Sequence, residues 1–301
     1  MMAQRTTDGI PPVRGELRHG ESMARHVSWR AGGAAARWFK PADLDDLRAF
    51  LAALPPDEPI CWVGLGSNLL VRDGGINGTV IATHGALGAI EDRGNGRVRA
   101  AAGVACAKLA RMSVNWGLDG GDFFAGIPGT VGGALAMNAG AFGGETWEWV
   151  EAVETVDRAG EVRRREAAEY KVGYRTVHAP AEEWFVAGHF RFKPGAEADR
   201  AGIKRLLARR NATQPVSAAS CGSVFRNPPG DHAARLIEAA GLKGRRVGGA
   251  VVSDKHANFI INDAHASAAD IETLLLQVQA EVKARFGVEL VPEVRIVGDS
   301  A

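Results

Sequence analysis

A chain of 301 residues, 46% hydrophobic and 24% charged, has the make-up of a soluble globular protein with room for about two domains. Its 36 Lys and Arg against 35 Asp and Glu leave a net charge of +1, so no overall field draws it to nucleic acid or to a membrane. No apolar run nears the ~20 residues of a membrane helix, and residues 1–22 read as a flexible polar tail without a signal peptide's apolar stretch. Cys61, Cys106 and Cys221 form no C-x-x-C pair, and the eight histidines show no ligand spacing. Neither a disulfide framework nor a metal site is expected, and the reducing cytoplasm is the expected location.

In chain order, residues 26–40 suggest an entry segment and a strand around a Gly-Gly bend. Pro41 is expected to open a helix, with Leu44, Leu47, Phe50, Leu51 and Leu54 on one face and Pro55-Pro56 stopping it. Cys61–Val63 reads as a buried strand running into Gly64-Leu-Gly-Ser-Asn68. That G-x-G lacks the third glycine and the later acidic residue of a dinucleotide fingerprint, but its N–H groups, with Ser67 and Asn68, suit a phosphate. Strands are expected at Thr79–Thr83 and Val98–Ala102, and a helix from Val104 to Trp116 ending at Gly117.

Residues 120–143 then hold eight glycines in twenty-four positions, almost without charge. Glycine costs backbone entropy, so such density points to positive φ angles or to a backbone lying close to something. Successive N–H groups of Gly126-Ile-Pro-Gly129 and Thr130-Val-Gly-Gly133, with a short helix starting near Thr130, would form an anion nest at a helix N-terminus. A single short glycine cluster is usually a set of packed turns; the length of this one favours a pyrophosphate cradle.

Strands follow at Ala152–Val156 and Phe185–Phe192, with Arg163-Arg-Arg165 read as a solvated turn. Composition shifts near Lys193-Pro-Gly195, taken as a domain boundary. A basic helix, Ile203 to Arg210, precedes the loop Ser220–Gly230, and Asp231 can cap the helix bearing Leu236 and Ile237. Residues 248–262 read as two short strands. Ser267 or Asp270 starts the clearest helix, with Ile271, Leu274, Leu275, Val278, Val282 and Phe286 in an apolar stripe and Gly287 at its end. A last strand is expected from Glu289 to Ile296.

Four separated motifs, Gly64–Asn68, Gly126–Gly133 with Asn138–Gly143, Gly222-Ser-Val-Phe-Arg-Asn-Pro228 and Pro292-Glu-Val-Arg-Ile-Val-Gly298, resemble in order and spacing the UDP-N-acetylenolpyruvoylglucosamine reductase family over roughly residues 24–298. The resemblance implies an α+β fold. An FAD-binding domain of the vanillyl-alcohol-oxidase type, residues 23–192 in two subdomains with a break near 84, would be followed by a C-terminal α+β substrate domain, residues 193–301. It implies FAD and NADPH as cofactors. The reaction would reduce UDP-N-acetylglucosamine enolpyruvate to UDP-N-acetylmuramate for peptidoglycan, with hydride passing from NADPH through FAD to substrate C3. A monomer acting on this small molecule, without nucleic acid or membrane, is expected.

By the same resemblance, Arg175, Ser223 and Glu293 match the catalytic residues. Gly64, Leu65, Gly66, Ser67, Asn68, Gly126, Ile127, Pro128, Gly129, Thr130, Gly132, Gly133, Asn138, Gly140, Gly143 and Arg210 would hold FAD. Tyr174, Gln214, Asn227, Lys255 and His256 would meet the substrate. The chemistry is coherent: a guanidinium such as Arg175 stabilises charge developing toward the substrate carboxylate, and a basic C2 can take a proton from the Ser223 hydroxyl. Glu293, if held neutral by burial, could donate a hydrogen bond or relay that proton. Cys221 reads as a small buried hydrophobe. The short connector from Arg175 to the Phe185 strand resembles the subclass without a tyrosine-bearing covering loop, which implies a more open substrate site.

Val172, Thr176-Val177 and Ala234 depart from the family's pattern and bear on local packing. Singly, each motif residue has a plain reading, a turn hydroxyl for Ser223, an edge carboxylate for Glu293 and a surface cation for Arg175. Two other functions fit the fold: an oxidase of sugars or lactones, and a non-catalytic FAD or UDP-sugar sensor.

Overall fold

A computed structural model describes residues 12–195 and 200–301. The chain forms two compact units that interleave in sequence. One takes the residues up to Arg18, with Arg37–Gly64 and Gly78–Leu207; the other takes His19–Ala36, Leu65–Asn77 and Ala208–Ala301. Of the N-terminal tail expected over residues 1–22, residues 1–11 lie outside the described residues, and Glu16–Ser22 is a strand.

The first unit is built on a five-stranded antiparallel sheet. Its order is Val162–Glu166, Val150–Asp157, Glu183–Arg191, Arg97–Ala101 and Ile90–Asp92. Ile60–Val63 runs parallel to residues 79–82, so the buried strand expected there forms. Helix α1 (Leu44–Ala53) starts later than Pro41. Asp43 accepts the Asp46 N–H at 2.9 Å as N-cap, and the buried Asp46 carboxylate takes the N–H groups of Arg14, Gly15 and Ala42. A side-chain cap closer to the apolar stripe sets the start in place of the proline. Helix α2 (Cys106–Asn115) buries Leu109, Ala110 and Val114, and Gly117 follows it at φ +66°. Helix α3 (Val131–Met137) is the short helix expected after Thr130.

Arg163-Arg-Arg165 is not a turn but the interior of the edge strand Val162–Glu166. Arg163 pairs with Asp157 and Glu161, Arg164 with Glu166, and Arg165 with Glu183 and Glu169. A charged edge of this kind protects a sheet against further pairing.

Helix α4 (Arg200–Thr213) carries the basic segment. In the second unit, helix α5 (Ala233–Ala239) has His232 at its N-cap position and no cap from the side chain there. Asp231, expected as the cap, holds Arg235 instead, and Asn227 Oδ1 accepts the Ala233 N–H at 3.1 Å. Residues 246–262 form three antiparallel strands, Arg246–Val247, Ala250–Val252 and Ile260–Asn262, one more than the spacing suggests. Helix α6 (Ala268–Phe286) has the expected Ser267 cap, reciprocated by Asp270, and ends at Gly287 with φ +69°. Its stripe from Ile271 to Val282 is buried, whereas Phe286 is 40% exposed because the last turn overruns the core.

The final strand is only Arg295–Val297, parallel to Leu69–Val71. Pro292 has no N–H to donate, and the residues before Arg295 make isolated bonds to residues 224–226 rather than a ladder. Among the described residues no helix is long and apolar enough to cross a membrane.

Candidate active site

The glycines expected at the cofactor, Gly64 and those of the glycine-rich stretch, are of two kinds. A Cβ on Gly64 would fall 2.3 Å from Thr130 Oγ1, on Gly132 2.8 Å from Ala102 Cβ, and on Gly126 2.4 Å from the Phe142 ring. One on Gly140 would meet the Gly144 carbonyl oxygen at 2.5 Å. These four are glycine because the chain packs on itself. Gly133 differs: it is exposed, carries no positive φ, and the nearest atom to its Cβ position is Thr130 Oγ1 at 3.8 Å. Gly143 also faces open space, but its φ of +91° already favours glycine.

The N–H inventory revises the expected nest. Val131 and Gly132 donate to Val104 and Ala102 carbonyls at 2.8 and 2.9 Å, and Gly133 leans on Thr130 Oγ1 at 3.5 Å. Gly129 and Thr130 N–H groups donate to no acceptor among the described residues. The donors left for an anion therefore sit just before α3, beside the open face of Gly133. Ile127 is buried and Pro128 exposed.

In the second unit, Gly66 bends the motif loop at φ +60° against the His26 carbonyl, and its own carbonyl accepts from Ser28 N–H at 3.0 Å. The N–H groups of Leu65, Gly66 and Ser67 donate to no acceptor among the described residues. Asn68 Nδ2 donates to the Glu293 main-chain carbonyl at 3.1 Å. Cys221, 3% exposed, lies with its sulfur 3.4 Å from the Gly66 and Leu69 carbonyls, and burial pushes its thiol up to about 12. It is a poor nucleophile.

Arg175 stands at the tip of the hairpin Lys171–Gly173/Thr176–His178, whose register leaves a two-residue loop, Tyr174–Arg175. Its φ is +52°, a left-handed conformation unusual for arginine. The half-buried guanidinium donates to the Asn138 and Gly140 carbonyls at 3.2 and 3.1 Å and lies 5.1 Å from the Tyr174 ring centroid. Tyr174 is 47% exposed. Asn138, expected to touch the cofactor, is 2% exposed and its side chain is engaged with the protein.

The segments that carry Ser223 and Glu293 are hydrogen-bonded to each other within the second unit. Phe225 bridges Pro292, and the Glu293 N–H donates to the Val224 carbonyl at 2.8 Å. Asn258, buried at 3%, fixes this segment. Its carbonyl takes Val224 N–H, and its side chain both accepts from Phe225 N–H at 2.9 Å and donates to Phe225 C=O at 2.8 Å. Sequence reasoning missed Asn258; its signal was a single amide within the apolar run Ala257–Ile261.

The remaining expected contacts also lie in this unit. Arg210 Nε donates to Gln214 Oε1 at 3.0 Å, and burial lowers the guanidinium's pKa. Lys255 reaches the Asn211 carbonyl. His256 stacks edge-on to Phe259 at 4.8 Å, its Nδ1 is buried without a partner, and burial lowers its pKa, favouring the neutral ring. Asn227, expected on substrate, spends its oxygen on α5.

A family model described as an FAD binding domain matches residues 35–165, and one described as the UDP-N-acetylenolpyruvoylglucosamine reductase C-terminal domain matches residues 214–297. The chain is 63% identical over 287 residues to the UDP-N-acetylenolpyruvoylglucosamine reductase of Alkalilimnicola ehrlichii, covering 95% of this chain and 96% of that protein. It is 59% identical over 290 residues to the enzyme of that name from Methylococcus capsulatus, covering 96% and 95%. The crystal structure of the Thermus caldophilus reductase aligns at a TM-score of 0.81 and 31% identity, covering 95% of this chain and 99% of that one. The expected fold, an FAD-binding domain of the vanillyl-alcohol-oxidase type with a C-terminal α+β domain, is therefore the one found.

Proposed function

This chain belongs to the UDP-N-acetylenolpyruvoylglucosamine reductase family and is an FAD-dependent oxidoreductase, and on that premise we propose that it uses NADPH to reduce UDP-N-acetylglucosamine enolpyruvate to UDP-N-acetylmuramate, a peptidoglycan precursor. Its work would be done as a cytoplasmic monomer on this small molecule. FAD, when bound, supplies the hydride chemistry that links the nicotinamide to the enolpyruvyl double bond.

The chain's residues fit that cofactor. Gly129 and Thr130 offer N–H groups with no acceptor among the described residues, and Gly133 leaves the space beside them clear. The open N–H groups of Leu65, Gly66 and Ser67 are a second set suited to phosphate oxygens.

Arg175 stabilises the negative charge that grows toward the substrate carboxylate as the double bond is reduced. Held by two carbonyls before the reaction, its guanidinium needs little reorganisation as that charge appears. Ser223 gives its hydroxyl proton to C2, which is basic enough at that stage to accept it. The role assigned to Glu293 is to orient the serine hydroxyl or relay a proton back to it. Tyr174, Gln214, Lys255 and His256 line the substrate, and Arg210 lies toward the cofactor.

The observation that carries this reading is the Glu293 N–H to Val224 C=O bond at 2.8 Å, which ties the main chain of Glu293 to the residue that follows Ser223. An oxidase acting on alcohols would have no use for that pairing. The test is anaerobic: NADPH should bleach the yellow protein, and UDP-N-acetylglucosamine enolpyruvate should restore the colour. Bleaching reversed only by oxygen would move the function to the oxidase class.

A further inference from the structure

Among the described residues, three of the seven non-glycine residues with positive φ, Asn138, Phe142 and Arg175, fall in the glycine-rich stretch and the hairpin that binds it. Left-handed backbone is costly for an L-residue, so it persists where surrounding contacts over-determine it. The contacts here converge on Asn138. It is the C-cap of α3 at φ +46°. Its Nδ2 donates to Glu145 Oε2 at 2.8 Å and to the Gly173 carbonyl at 3.2 Å, and its Oδ1 accepts the Trp147 N–H at 3.0 Å. Its main-chain oxygen accepts from Arg175 Nη1 at 3.2 Å.

Gly173 is the residue before the two-residue loop, so Asn138 grips both the stem of that loop and the guanidinium at its tip. We infer that Asn138, backed by Glu145, is a positioning residue that holds Arg175 in its working conformation. It does so from the far end of α3, the helix whose start makes the phosphate cradle. The inference rests on the role proposed above for Arg175. It gives the buried amide a purpose other than cofactor contact, because neither of its polar atoms is left for one.

Asn138→Gly removes the side chain while keeping a residue that accepts left-handed backbone and caps helices well. The two half-reactions are followed anaerobically by flavin absorbance, with FAD affinity measured in parallel. Asn138→Gly should slow reoxidation by UDP-N-acetylglucosamine enolpyruvate by up to about 100-fold, the effect of a misplacement near 1 Å. FAD affinity and the rate of bleaching by NADPH should stay within about twofold. In an Arg175→Ala background, Asn138→Gly should add almost nothing, because the amide acts on turnover only by holding the loop that presents the guanidinium, which is already gone. Asn138→Asp, which sets two carboxylates face to face, should show the same loss and be rescued by adding Glu145→Gln.

Multiplying effects in the double variant would mean general structural damage, and a large loss of FAD affinity would mean cofactor contact; either overturns the inference. If Arg175→Ala alone leaves reoxidation untouched, the functional reading fails and takes this inference with it. If Arg175→Ala is slow and Asn138→Gly is normal, only the positioning role is lost.

Discussion

Arg175 sits in a left-handed conformation with its guanidinium bonded to two carbonyls, while the Ser223 hydroxyl has no bonded partner among the described residues. In the serine's segment the backbone is what is fixed, through the Phe225–Pro292 bridge and the buried amide of Asn258. The contrast suits the two jobs proposed for them. A group that stabilises growing charge works best if nothing has to move, so strain and redundancy around it are tolerated. A proton donor has to turn its O–H toward the atom that receives it, so only its Cα needs to be held.

The comparison can be broken most severely at the arginine. Arg175→Ala should cost about 3–4 kcal/mol of transition-state stabilisation, a loss of ~10²–10³ in kcat, while leaving the rate of bleaching by NADPH near wild type. A small effect on turnover would mean that the strained loop serves some other purpose. On the serine side, Asn258→Ala strands the Phe225 N–H and C=O in a buried place and should lower stability by about 1–3 kcal/mol, read as a shift in denaturant midpoint. An unchanged midpoint would show that the bridge alone fixes the segment.

The two kinds of glycine offer a finer separation. Gly64→Ala drives a methyl into Thr130 and should destabilise the protein by about 1–3 kcal/mol. Gly133→Ala meets open space, so it should leave thermal stability of the FAD-free protein unchanged and weaken FAD binding. Equal FAD affinity in Gly133→Ala and wild type would remove this glycine from the cradle.

The smallest effect lies away from the site, on the five-stranded sheet. Arg99, and secondarily His189, bring the half-buried Glu154 from an ordinary 4.5 down to about 2. Because the folded pKa is depressed, the stabilisation is present above pH ~4.5 and fades as pH falls toward 2; after solvent screening it is about 1 kcal/mol. The melting-temperature gap between wild type and Glu154→Gln should be constant near neutrality and close in acid. A gap that persists at pH 2 would assign the stabilisation to hydrogen bonding rather than charge.

Local chemistry made much of the fold legible. Ser267 and Gly287 bracket α6 in the sequence as in the structure, and Thr130 caps α3 where the glycines suggested a helix start. What could not be read depends on partners distant in the chain. Arg163–Arg165 look like a solvated turn until Glu183 and Asp157 stand beside them. Pro292 looks like one residue of a long strand until Phe225 pairs with it in isolation.

The site divides in the same way. Arg175, Ser223 and Glu293 were nameable from motifs because their chemistry is in their side chains. Asn258 and the real contacts of Asn138 were not, because they act on backbone groups that only folding brings near. Glycine density pointed to the cradle, but close packing of Gly120, Gly121, Gly126, Gly132 and Gly140 accounts for most of it, and only the space beside each glycine separates the two causes.

The most direct test of the account is Ser223→Ala in the two half-reactions. NADPH should bleach its flavin at close to the wild-type rate, and UDP-N-acetylglucosamine enolpyruvate should then restore the colour at least about 100-fold more slowly, as expected for loss of a general acid. Restoration at the wild-type rate would contradict the assignment of Ser223 as the proton donor and with it the division of labour described here.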